Sequence, residues 1–80
     1  MGMKFVLKET LESLKIPGNQ LAVEAKVRNN TIYDMLEDRT KRIERKTLED
    51  ILRALNNIAK KQGVKRKFNT EDVMIWVDEV

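Results

Sequence analysis

Residues 20–43 read QLAVEAKVRNNTIYDMLEDRTKRI. Two short amphipathic pieces lie here with almost nothing between them. Leu21, Ala22 and Ala25 share one helical side of the first piece, and Ile32, Met35 and Leu36 share one side of the second. Val27 falls in the turn and is expected to be buried there. The second piece opens on Arg28, Asn29, Asn30 and Thr31, and a polar loop, Asp38-Arg39-Thr40-Lys41-Arg42, follows it. A pair of helices joined this closely needs small residues where they cross, and Ala22 and Ala25 supply them. Such a pair can hold one short helix proud of its scaffold, and an α-helix is about as wide as the major groove of DNA.

The rest of the chain reads outward from this pair. Phe5, Leu7, Leu11, Leu14 and Ile16 recur at roughly helical spacing, which predicts a first helix over residues 4–15, stopped by Pro17-Gly18. Asn19 is the expected cap of the second helix. The third helix is expected from Asn29 to Glu37. Thr47, with Asp50 three residues on, reads as the start of a fourth helix carrying Leu48, Ile51, Leu52, Leu55 and Ile58 as far as Lys61. Gly63 ends it. Residues 62–69 read as a basic connector. Thr70-Glu71-Asp72 is expected to cap a last helix over 70–78 whose Val73, Trp76 and Val77 pack on the first or fourth helix, or else form a dimer contact. Only Val73 to Val77 shows any strand-like pattern, and it is short. The expectation is therefore an all-α domain of five helices spanning residues 1–80, with its core in 4–61.

Eighty residues make one domain, and 36% charged with 41% hydrophobic residues is a globular composition. No apolar run approaches the ~20 residues that cross a bilayer. Neither a membrane partner nor a leader is expected, and the expected compartment is the cytoplasm. The chain has no Cys and no His, so disulfides, thiolate metal sites and imidazole catalysis are excluded. The three glycines stand alone at 2, 18 and 63, too sparse for a phosphate loop. Carboxylates alternate with lysines as on solvated helix faces. No enzyme activity, cofactor, metal or small-molecule ligand is expected. Charge is unevenly spread. Residues 1–40 hold six basic and six acidic side chains, residues 41–67 ten and three, and residues 68–80 four acidic and none basic. A basic middle fits a polyanion, most simply nucleic acid, although a solvated helix and loop would also carry it.

Leu21-Ala22, Ala25, Val27 and Thr31-Ile32 resemble the helix-turn-helix of the Cro/C1-type (XRE-like) family of DNA-binding proteins. Thr40-Lys41-Arg42 is similar to a basic loop that follows the recognition helix there. Lys46-Thr47-Leu48 through Ile51, Leu52 and Leu55-Asn56 resembles the family's fourth helix, so the likeness covers about residues 5–58. It implies a five-helix lambda-repressor-like domain, with the second and third helices as the helix-turn-helix. Two positions depart from the pattern. Lys26 stands where Gly is common; a left-handed Lys there costs about 1 kcal/mol relative to Gly. Gly18 stands where a phosphate-binding Gln is common.

On this reading the leading end of the third helix enters the groove. The amides of Asn29 and Asn30 can each donate and accept, which suits adenine N6 and N7. An alternative is that these two residues only cap the helix. The resemblance implies that Tyr33 and Asp34 are the next base-facing positions. Arg28, Thr31, Arg39, Thr40, Lys41, Arg42, Arg45 and Lys46 are the expected phosphate contacts, giving affinity and register rather than sequence. Lys60, Lys61, Lys65, Arg66 and Lys67 read as a solubilising connector. The expected partner is double-stranded DNA, bound by a homodimer acting as a transcriptional regulator, a repressor by default. An antitoxin that also binds a toxin is a close variant. A helical protein-interaction module without DNA binding, and a non-specific DNA coat, are the competing readings.

Overall fold

The computed structural model describes residues 2–78. Its elements run β1 (Gly2–Phe5), α1 (Leu7–Leu14), α2 (Gly18–Ala25), α3 (Asn29–Leu36), α4 (Arg45–Lys61), a 3-10 turn at Thr70–Asp72 and β2 (Met74–Val77). The described chain is thus mostly helical with one small antiparallel sheet, not all-α and not five helices. In the sheet Gly2 faces Val77, Met3 faces Trp76, Lys4 faces Ile75 and Phe5 faces Met74.

Both ends of the expected pattern are corrected by this sheet. The predicted first helix begins at Leu7 rather than residue 4, because residues 2–5 are extended. The predicted helix over 70–78 does not form: Thr70–Asp72 makes one 3-10 turn and Met74–Val77 is a strand. Met-Ile-Trp-Val is rich in side chains that fit a pleated surface, and β1 offers it a backbone to pair with. The 3-10 turn is capped by Asn69, whose side chain accepts from the Thr70 N–H at 3.0 Å while Asp72 accepts from the Asn69 N–H at 2.9 Å.

The core draws on every helix. Leu7, Leu11, Leu14 and Ile16 meet Leu21, Ala22 and Ala25, then Ile32 and Met35, and the long apolar stripe of α4. Phe68 and Val73 are buried with them, so the expected connector over 62–69 ends in a core residue. Asn56 holds it there: its Oδ1 accepts from the Phe68 N–H at 2.8 Å and its Nδ2 donates to the Phe68 carbonyl at 3.2 Å. The buried Thr10 hydroxyl donates to the Asp72 carbonyl at 2.6 Å, and the Val6 N–H donates to the Val73 carbonyl at 2.7 Å. Trp76 and Val77, expected against a helix, are instead exposed on the sheet.

All four helices end the same way. The amides of Ile16, Val27, Arg39 and Val64 reach back to the carbonyls of Leu11, Ala22, Asp34 and Ala59 at 2.8–3.2 Å. This six-to-one bond needs a left-handed residue just before it. Lys15, Lys26, Asp38 and Gly63 take that conformation, and only the last is glycine. None of the four helices has a side-chain cap at its start. Their N-caps are Val6, Pro17, Arg28 and Glu44, so the expected caps Asn19 and Thr47 lie inside α2 and α4 instead.

Candidate nucleic-acid interface

The helix pair α2–α3 turns on Lys26, at φ 60° and ψ 43°, the left-handed conformation for which glycine is the easy choice. α2 packs on both α3 and α4, and α1 touches α3. Gly18 opens α2 against the flank of α3. A Cβ there would come within 2.9 Å of Leu36 Cδ1 and 3.1 Å of Tyr33 Cζ. Gly18 is therefore a packing residue that lets the two helices meet.

α3 buries Ile32 and Met35 and half-buries Leu36, and this fixes which side is left for solvent. Asn29, Asn30 and Tyr33 are exposed, Thr31 and Asp34 are half-buried, and Glu37 follows at the C-cap. Asn29 and Asn30 are the first two residues of α3, with Arg28 as the N-cap, so neither caps the helix. Their amides make no hydrogen bond among the described residues. The expected base-reading set is thus brought together on one open face, except that Asp34 is engaged. Its carboxylate accepts from Arg39 Nη2 at 3.0 Å, and Arg39 Nη1 bonds Glu37.

Arg39 therefore folds back over the end of α3. The hydrogen bond it donates to Asp34, joined by the charge of Glu37, raises the pKa of its guanidinium, and it stays fully cationic. Both ion pairs are solvent-exposed, and exposed pairs contribute little because water screens them. A phosphate could replace either carboxylate at little cost. Arg28, Lys41 and Arg42 are exposed and make no ion pair among the described residues. Thr40 is half-buried between Arg39 and Lys41. The loop is pinned to the sheet by Asp38, whose Oδ1 accepts from the Phe5 N–H at 3.3 Å.

The start of α4 completes this surface. Arg45 and Lys46 occupy its first turn, where the positive end of the helix dipole disfavours cations by ~0.3–1 kcal/mol each. Arg45 lies 3.6 Å from Glu49, and Lys46 lies 3.1 Å from Asp50, which also binds Arg53 at 2.8 Å. Hydrogen bonds from Arg53 and then Lys46 hold the Asp50 carboxyl below its usual pKa. With no side-chain cap, the leading amides of α4 point outward beside two cations, an arrangement suited to an anion. Neither the Arg39 clamp nor this uncapped end was foreseen; the charge-against-dipole clash at Arg45-Lys46 was the readable signal for the second.

Further along, Lys61 binds Glu24 at 3.3 Å, while Arg66 binds Asp72 and lies 4.5 Å from the Phe68 ring centroid. These two serve the fold, and Lys60, Lys65 and Lys67 form no ion pair among the described residues. No described group of three or more His, Cys, Asp or Glu is placed to hold a metal ion. No described helix is long and apolar enough to cross a membrane. Compared with protein-family models, with curated proteins and with solved structures, the chain gives no match.

Proposed function

We infer that this chain binds double-stranded DNA in a sequence-specific way, as a transcriptional regulator. Two copies act together on a two-fold operator, each laying α3 in the major groove, and repression by obstruction is the simplest mechanism. The observation that carries this reading is the division of α3. One side is locked into the core by Ile32 and Met35. The other holds Asn29, Asn30 and Tyr33 in solvent, with both amides unbonded among the described residues.

The neighbouring chemistry supports the same reading. Arg28, Lys41 and Arg42 flank α3 without carboxylate partners among the described residues, and the uncapped start of α4 adds backbone donors with Arg45 and Lys46. Arg39 exchanges Asp34 and Glu37 for a phosphate, Thr31 and Thr40 add hydroxyls, and Asn29 and Asn30 read base edges. Asp34, once released, accepts from cytosine N4, and Tyr33 meets a thymine methyl or the backbone. A single short helix reads few base pairs, which is why two copies are needed.

Selection from a random duplex pool at ~50 mM and ~200 mM salt tests this directly. An inverted repeat should emerge, and Asn30→Ala should cost ~1–3 kcal/mol at that site. If six phosphates are neutralised, log K should fall against log salt with a slope of roughly −5. Tight binding with no preferred sequence would sink the regulator in favour of a coating protein. Folded protein that binds no duplex would point to a helical interaction module.

A further inference from the structure

We propose that two copies of this chain associate edge to edge through β2, forming one four-stranded antiparallel sheet about a two-fold axis. The proposal deepens the dimeric reading above by naming its contact surface, and it rests on that reading for its biological purpose.

The argument begins with the two edges of the sheet. The Val6–Val73 bond fixes which residues exchange hydrogen bonds between the strands. By the alternation of an antiparallel ladder, Lys4–Ile75 and Gly2–Val77 do so too. The N–H and carbonyl groups of Met3, Phe5, Met74 and Trp76 then point away from the partner strand. On β1 this outer edge is obstructed, because Asp38 already occupies the Phe5 N–H. On β2 no described group does so. Proteins usually guard such an edge with charge, proline or a bulge. Met74–Val77 has none of these.

Outward-pointing residues must face each other, which leaves three registers. The one centred on Met74 sets Trp76 against Asp72, and the one centred on Trp76 sets Met74 against Asp78. In the third, Met74 of one copy pairs with Trp76 of the other and the axis passes between the two Ile75 residues, so only apolar residues meet in the strands. The side-chain rows follow. On one face Phe5 and Met74 continue into Trp76 and Met3 of the second copy as one apolar row, with Met74 set across the seam beside Trp76, which is 58% exposed in a single copy. On the other face the two Ile75 side chains meet. Every residue in the paired segment is apolar, so no like charges oppose each other there. Just beyond the paired segment Asp72 of one copy approaches Asp78 of the other; Arg66 neutralises Asp72, and Asp78 accepts from the Trp76 indole N–H at 2.7 Å. A two-stranded sheet is marginal alone, and four strands with an apolar face are not.

The experiment is cross-linking of the full chain. The chain has no Cys, so Ile75→Cys supplies the only thiol. Non-hydrogen-bonded antiparallel partners have Cα atoms ~4.5 Å apart, within the reach of a disulfide. Mild oxidation at micromolar protein should convert Ile75→Cys to covalent dimer. Val23→Cys, exposed on α2, should associate as the unaltered chain does but stay largely without the covalent link. In sedimentation the unaltered chain should be dimeric, and Ile75→Lys should weaken association roughly tenfold or more by opposing two ammonium groups, with its helical circular dichroism kept. If that variant unfolds, the cysteine pair decides. A chain that stays monomeric to near-millimolar concentration overturns the proposal. So does a dimer whose Ile75→Cys form fails to cross-link. A cross-linked dimer that binds no duplex keeps this proposal and sinks the DNA reading; a monomer that binds a single half-site does the reverse.

Discussion

Lys26 holds the turn between α2 and α3 in a conformation that its side chain resists. Replacing it with glycine removes the Cβ clash, and the looser unfolded chain gives part of that gain back. Lys26→Gly and Lys15→Gly should each stabilise the fold by about 0.5–1 kcal/mol, read as a higher urea midpoint at unchanged slope. Asp38→Gly should gain less, because the Phe5 N–H loses its carboxylate. Gly18→Ala should act in the opposite sense: a methyl 2.9 Å from Leu36 Cδ1 must displace Leu36 or Tyr33, at a cost of ~1–3 kcal/mol. The strain at Lys26 was readable only through the resemblance, which puts glycine at that turn position. The duty of Gly18 was not. It depends on how closely α3 approaches the start of α2, and no local pattern encodes that distance.

α4 carries its charges in an order that weakens its own start. Arg45 and Lys46 oppose the dipole, and Glu49 and Asp50 offset this through pairs one helical turn apart. Asp50 titrates below the ordinary carboxylate value of about 3.9. Its contribution is therefore complete above that pH and is lost as pH falls through its lowered value. Asp50→Asn should be less stable than the parent at neutral pH, with the gap closing in acid below the usual carboxylate range; pH-dependent thermal melts would show it. Asn56→Ala should cost more, ~1–3 kcal/mol, because the Phe68 N–H loses its only side-chain acceptor. The helices were legible because Leu21 to Ala25, Ile32 to Leu36 and Leu48 to Ile58 repeat at their own period. Val73 to Val77 showed a strand-like pattern too short to outweigh a helical reading, Gly2 to Phe5 showed none, and the partner of β1 lies at the far end of the described chain. Asn56 was legible as a family-like position, yet its bond to Phe68 was not, for the same reason of distance.

At the scale of the molecule, Phe68 and Val73 join all four helices in one core, and the Cα radius of gyration is 12.0 Å. Helix and sheet should therefore unfold together. Trp76 fluorescence reports the sheet and far-ultraviolet circular dichroism reports the helices, so their urea transitions should coincide; an earlier Trp76 transition would mean that the sheet opens alone. The pairing of β1 with β2 also imposes an order in time. During synthesis β1 leaves the ribosome ahead of every helix, yet it has no partner until β2 is made. The α2–α3 pair, joined by three residues, can form as soon as both helices are free. The loop that β1 and β2 must close spans nearly the whole described chain, and its entropic cost falls only once the packed helices have shortened it. Folding of the described segment then runs from the middle outward, and Gly2–Phe5 remains an unpaired apolar-rich segment until β2 emerges.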